Sequence, residues 1–291
     1  MRRRRFGDRC DGRRVRTLSA MTKVIPYIMK HRSDAQNTFA DSLSILKTEK
    51  FCREKVKEGK KNFSILHVIL ASYVRMISQR PALNRFVAGQ KIYSRGDEII
   101  INMAIKREMK IDAPDTMIKV KFSPTDTIDD VYEKFNKVVT ETLAAGETTN
   151  FDNVTKILSF FPGFVFRATV KLLFFLDYYG LIPKFLLNVS PFHGSMIITS
   201  MGSLGIRPIY HHLYNFGTLP VFLSYGATQT EYKVLPDGSV EKQKFVELKA
   251  VTDERICDGY YYASCFKLLK RFIENPELLV APPESVIEDI D

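Results

Sequence analysis

Two uncharged stretches, Phe185–Ile206 and Pro208–Thr230, are long enough by count to cross a bilayer, so their nature decides the class of the whole chain. Both are interrupted throughout by Pro, Gly, Ser, Asn and His. That texture predicts buried strands joined by turns, and no membrane span. The rest of the composition agrees with a globular protein. Of 291 residues, 45% are apolar and 26% charged, which excludes a disordered chain, a collagen-like repeat and a disulfide miniprotein.

The local pattern alternates between helical and extended periods. Helices are predicted over Lys23–Phe39, Thr48–Glu58 and Phe63–Gln79, the last ended by Pro81, which has no amide hydrogen to donate. Asp126–Thr142 places Ile128, Val131, Phe135 and Val138 on one stripe, and Tyr260–Asn275 closes the chain as a helix. Strands are predicted near Ser42–Leu46 and over Lys91–Tyr93, Glu98–Ile105, Met117–Phe122, Met196–Met201, Pro220–Tyr225, Tyr232–Val234 and Gln243–Val251. With no internal repeat, the expectation is one mixed α/β domain over residues 21–291, preceded by a basic arm over residues 1–20.

Three features stand apart from that pattern. The first sixteen residues carry eight Arg and two Asp, so they supply +6 of the net +10. Such an arm suits a weak contact with nucleic acid or an anionic membrane surface, a solubilising role, or packing onto an acidic face of its own subunit. The segment Lys156–Asn188 holds seven of the 21 Phe, but Arg167, Lys171, Asp177 and Lys184 interrupt every apolar run. It reads as an apolar insertion: a core helix, a subunit contact or a cover over a substrate tunnel. Cys10, Cys52, Cys257 and Cys265 form no CxxC pair and have no His at ligand spacing. They are expected to be free thiols rather than zinc ligands, and with no secretory signal evident the expected location is the cytoplasm.

The chemistry concentrates near the C-terminus. Glu254-Arg255-Ile256-Cys257-Asp258-Gly259 ends a predicted strand and opens a helix, and Thr199-Ser200-Met201-Gly202-Ser203-Leu204-Gly205 lies upstream. These segments resemble the catalytic domain of the 2-oxo acid dehydrogenase acyltransferases and the related chloramphenicol acetyltransferase, where a strand ends in His-x-x-x-Asp-Gly and another carries a catalytic hydroxyl. His31-Arg32 followed by Phe39 resembles the first helix of the acetyltransferase. Arg80-Pro81-Ala82-Leu83-Asn84 resembles the turn after its long helix, and Lys91–Tyr93 with Ile100–Ile105 the paired strands beyond. The resemblance runs from about residue 20 to the C-terminus.

It implies a chloramphenicol acetyltransferase-like two-layer α/β sandwich, with a mixed sheet and flanking helices, assembled as a homotrimer with sites between subunits. It also implies CoA-dependent acyl transfer to a small-molecule hydroxyl or thiol, with acyl-CoA as substrate, no metal, and no room for a lipoyl attachment site. Carried over residue by residue, Asp258 pairs with Arg32 and holds the loop, Gly259 completes the motif, and Thr199 stabilises the oxyanion with Ser200 beside it. Ser190 is the alternative hydroxyl by the acetyltransferase pattern.

The departure falls on the base, since position 254 is Glu where the family has His. An exposed carboxyl is a weaker base at pH 7 than imidazole, by about two pKa units, although burial can raise it. Glu254 is therefore either the base or a loop carboxylate in a salt bridge, the latter marking a catalytically silent member acting as a scaffold or ligand-binding protein. His193, His211 and His212 fall within twenty residues of one another and are the alternative bases. No GxGxxG, GxxxxGK[ST] or GxSxG motif supports a dinucleotide, P-loop or hydrolase reading.

Overall fold

The structure is a computed structural model and describes residues 5–106, 115–144, 160–234 and 236–290. Ten strands are seen among them: β1 Arg13–Arg14, β2 Gln36–Ser44, β3 Arg85–Ala88, β4 Lys91–Ser94, β5 Ile99–Lys106, β6 Asp115–Phe122, β7 Met196–Ser200, β8 Val221–Tyr225, β9 Gln229–Val234 and β10 Val240–Asp253. The helices are α1 Ala20–Ile28, α2 Leu46–Lys57, α3 Ile65–Gln79, α4 Ile128–Ala144, α5 Gly163–Tyr178, α6 Lys184–Val189 and α7 Gly259–Glu274.

The main sheet runs β2-β10-β8-β7-β5-β6, with β9 on the first half of β10. It is mixed: β5–β7 and β7–β8 are parallel, the other pairs antiparallel. Strands β1, β4 and β3 form a small separate sheet. Alternation along the strands divides the faces. Met196, Ile198, Val221, Leu223, Leu248 and Ala250 enter the main core with α3, α4 and α7. Ile197, Phe222 and Val251 point the other way and are covered by Leu213 and Leu219 of the loop 206–219. This is the expected two-layer sandwich.

Helix α3 is its centre, with every residue from His67 to Ser78 buried. Such a helix must be enclosed on all sides, which explains why its apolar residues are not confined to one stripe. On α4, Ile128, Val131 and Phe135 are buried as the spacing predicts, and Val138 is half-buried. Thr127 and Asp130 start that helix with reciprocal bonds: the Thr127 amide donates to Asp130 Oδ2 at 2.9 Å and the Asp130 amide to Thr127 Oγ1 at 3.2 Å.

His67 lies at the start of α3, where its Nδ1 accepts from the Ser64 amide at 3.1 Å. Burial pushes its pKa down to about 4, with hydrogen bonds from Asn136 and Ser64 opposing. The folded state therefore holds this imidazole neutral at pH values where the unfolded chain protonates it, near 6.5. Stability is expected to fall as pH drops from about 6.5 through about 4. Urea midpoints across that range should show the loss. The variant His67→Gln, which can still accept from the Ser64 amide, should flatten it.

The N-terminal segment corrects two expectations. The predicted helix over Lys23–Phe39 stops at Ile28, and residues 36–44 become β2. Pro26 removes one helical hydrogen bond, and Phe39 stacks on Phe266 at 4.6 Å once its strand pairs with β10. Arg32 consequently sits in a 3-10 turn rather than on the first helix. The Arg-rich arm is folded onto the body from Asp8 on: Arg13 and Arg14 pair with β4, and Val15 is buried. Arg9 is also buried, paired with Asp11 and Asp177 at 2.8 Å each, its guanidinium beside the rings of Phe86 and Tyr93.

Candidate active site

The turn from β10 into α7 is built around Asp253. This residue is fully buried at the end of β10, and two guanidiniums converge on it. Arg255 makes a two-pronged contact, Nε to Oδ1 at 2.8 Å and Nη2 to Oδ2 at 2.7 Å, and Arg32 adds Nε to Oδ2 at 3.2 Å. Arg32 also donates to the carbonyls of Tyr214, Val87 and Gly217, and Arg255 to those of Met29 and Lys30. The Tyr262 hydroxyl donates to the Asp253 carbonyl at 2.7 Å. Burial pulls the Arg32 guanidinium below its ordinary value, with Asp253 opposing.

Glu254 follows directly and is half-buried, its amide donating to the Ala35 carbonyl at 2.9 Å. The turn is thus fixed on both sides of Glu254. Arg255 is turned to Asp253, so the ion pair considered for Glu254 with Arg255 is not formed. The expected Arg32–Asp258 pair is not formed either. Asp258 is exposed and caps α7, its Oδ1 accepting from the Tyr261 amide at 2.8 Å, while Arg32 is satisfied by Asp253. Gly259 opens α7, and a Cβ there would meet nothing within 4 Å.

The candidate hydroxyls stand elsewhere. Thr199 is opposite Ser224 on β8, and Ser224 is opposite Lys249 on β10, five residues before Glu254. At about 3.4 Å per residue, Thr199 and Glu254 lie roughly 17 Å apart along the strand direction. Ser200 is one residue further away. Within one chain these groups cannot share a substrate carbonyl, so a site using both requires a second copy.

The three histidines divide. His212 is exposed. His211 is half-buried and stacks on Phe222 at 4.4 Å, and its Nε2 has no partner among the described residues. It lies on the sheet face between Thr199 and Glu254. His193 is buried with both ring nitrogens engaged: Nδ1 with Ser190 Oγ at 2.8 Å and Nε2 with Asp177 Oδ1 at 3.3 Å. Asp177 also pairs with Arg9 and accepts from the Gly217 amide. Burial acts to raise the Asp177 carboxyl, but His193 and Arg9 together hold it down to about 2. Although the order Ser190, His193, Asp177 suggests a triad, Ser190 Oγ also accepts from the Phe192 amide and the acid is consumed by an arginine. The cluster is a clamp joining the N-terminal arm, α5 and the loop 206–219.

That loop also requires Gly217, at φ 86°, where a Cβ would collide with the Phe192 carbonyl oxygen. Lys119 packs beneath, donating to the Leu187 and Ser190 carbonyls, and burial lowers its pKa to about 7.

Sequence reasoning missed Asp253, the organising residue of the turn. Its signal was an acid immediately before the motif with an arginine two positions later. Among the described residues no group of three His, Cys, Asp or Glu could hold a metal ion, Cys52, Cys257 and Cys265 are free thiols, and no helix is long and apolar enough to cross a membrane.

Residues 188–281 match the family described as 2-oxoacid dehydrogenases acyltransferase (catalytic domain). No curated protein sequence matches the chain. Among solved structures, the probable dihydrolipoamide acetyltransferase of Listeria monocytogenes is similar at 14% identity, covering 89% of this chain and 93% of its own, with a TM-score of 0.56. The cubic core of the pyruvate dehydrogenase multienzyme complex aligns at 12% identity over 89% of this chain and 88% of its own, with a TM-score of 0.57. A chloramphenicol acetyltransferase aligns at 12% identity over 88% and 96%, with a TM-score of 0.50. The chain has the fold shared by dihydrolipoamide acetyltransferase cores and chloramphenicol acetyltransferase, and its residues 188–281, which carry the Asp253–Gly259 turn, match the acyltransferase catalytic-domain family.

Proposed function

We propose that the chain is a CoA-dependent acyltransferase that works as a homotrimer, each site lying between neighbouring copies. Acyl-CoA is the donor, and the acceptor is a hydroxyl or thiol of a small molecule. The observation that carries the reading is the Asp253 turn. Four side-chain hydrogen bonds from Arg32, Arg255 and Tyr262, with a fifth from the Arg255 amide, hold it and present Glu254 at the strand end. A loop carrying only a surface carboxylate has no need of so much buried polar support.

In this scheme the Glu254 carboxylate takes the proton of the acceptor X–H as X attacks the thioester carbonyl carbon. The hydroxyl of Thr199 from a neighbouring copy, with Ser200 behind it, donates to the oxyanion. Collapse of the tetrahedral intermediate breaks the C–S bond, and the CoA thiolate recovers the proton from Glu254. His211 is the second group able to hold a proton on this face. The competing reading, a silent scaffold or ligand-binding protein, rests on one specific fact, the Glu in place of His.

The test is ligand-linked stability. Acetyl-CoA titrated to about a hundred times its Kd should stabilise the folded protein by about 2.7 kcal/mol, a rise of several degrees in Tm. Sedimentation should show a trimer. An unchanged Tm at saturating CoA and acetyl-CoA would remove the donor from the scheme and leave the scaffold reading.

A further inference from the structure

Among the described residues, helix α5 is neither a core helix nor covered by other elements. Of its sixteen residues only Asp177 is buried. Phe164 is 75% exposed and Phe175 55%, and Phe185 on α6 is 66% exposed. At about 100° per residue, Phe164, Leu172, Phe174, Phe175 and Tyr178 stand on one arc of roughly 160° with Arg167 and Lys171 among them, and exposed Phe166 extends the apolar surface beyond it. So large an apolar face does not remain in water without a partner.

We propose that this face docks on the surface of an anionic phospholipid bilayer, α5 lying in the plane of the interface. Charge decides the occupant. From Phe160 to Thr230 the only acid is Asp177, and it is buried against Arg9 and His193. Arg167, Lys171 and Lys184 are exposed, and none has an acidic partner among the described residues. Lipid phosphates supply the missing negative charge, while the aliphatic stems of Arg167 and Lys171 extend along the apolar boundary and the rings enter it. A second copy packed symmetrically on the same face would set these cations against one another. The face lies on the membrane and does not span it.

The N-terminal arm packs against the C-terminal end of α5. Arg9 donates to the Asp177 carbonyl and pairs with its carboxylate, and Cys10 Sγ approaches the Ile182 carbonyl at 3.9 Å. These contacts fasten the Arg-rich segment to the C-terminal end of α5. Clustered cations beside an interfacial helix strengthen attachment to anionic lipid in a salt-dependent way. The proposal is independent of acyl transfer.

Flotation of the full-length chain with vesicles tests it, comparing pure phosphatidylcholine with equal parts phosphatidylcholine and phosphatidylglycerol at low and high salt. The protein is expected to float with the mixed vesicles, weakly with the neutral ones, and less as salt rises. The double variant Phe164→Ser/Phe175→Ser should weaken binding about tenfold or more with an unchanged Tm, since both rings are exposed in the free protein. Arg167→Glu/Lys171→Glu should abolish the preference for anionic vesicles. Absence of flotation with either composition overturns the proposal, as does flotation that both variants retain. If vesicles are not bound and the serine variant instead converts a wild-type oligomer to monomers, the face belongs to a second copy and the proposal fails.

Discussion

Asp253→Ala is expected to destabilise the protein by about 3–5 kcal/mol, because it leaves two buried guanidiniums without their counter-charge. Arg32 and Arg255 are each 3% exposed, so neither can turn to water without opening the turn. At the few degrees per kcal/mol usual for chains of this size, the Tm should fall by roughly 6 °C or more. The double variant Asp253→Ala/Arg255→Leu should be less damaged than the sum of its parts, since one of the stranded charges is gone. A loss below about 1 kcal/mol for Asp253→Ala would show that the turn is held by its backbone bonds and by Tyr262 instead. The same variant should lose its response to acetyl-CoA if the turn carries the site, because Glu254 is anchored through the residues on either side of it.

Most of the sheet and the long helices were legible because burial on one face leaves a period in the sequence. The stripe Ile128, Val131, Phe135, Val138 is such a period, and the structure turns it inward. Helix α7 is another, burying Tyr262, Cys265, Leu269, Phe272 and Ile273. What was not legible depends on partners distant in sequence. Residues Gln36–Phe39 have no strong strand texture and become β2 only because β10 offers them a ladder. Strand β3 was hidden behind the turn at Pro81–Asn84. The residue types of the candidate site were visible, but not their pairings. Arg32 and Asp258 were matched by family pattern, whereas Arg32 reaches Asp253 across 221 positions of chain. In the clamp of Arg9, Asp177 and His193, Arg9 reaches Asp177 across 168 positions of chain, and no local signal announces it.

Glu254 bears the other large expectation. If its carboxylate is the base, Glu254→Gln should lower turnover by roughly a hundred- to ten-thousandfold, the usual range for a positioned general base. The amide keeps the shape and cannot take the proton, so acetyl-CoA should still raise the Tm of the variant. Loss of binding together with turnover would instead assign Glu254 to the fold of the turn. Glu254→His is the informative complement. Imidazole titrates at about 6.5 and suits proton transfer at neutral pH better than a carboxyl. At a site otherwise intact, the His variant should match or exceed the wild type in transferring acetyl groups to simple thiol or hydroxyl acceptors. A wild type that binds acetyl-CoA without turning it over, beside a His variant that does both, would mean that the cradle around Asp253 was kept while the chemistry was lost. A His variant that is inactive where the wild type is active would point to chemistry that requires the carboxylate's charge. That result would favour an acceptor bearing a cation, since Glu254 could pair with it as well as deprotonate it.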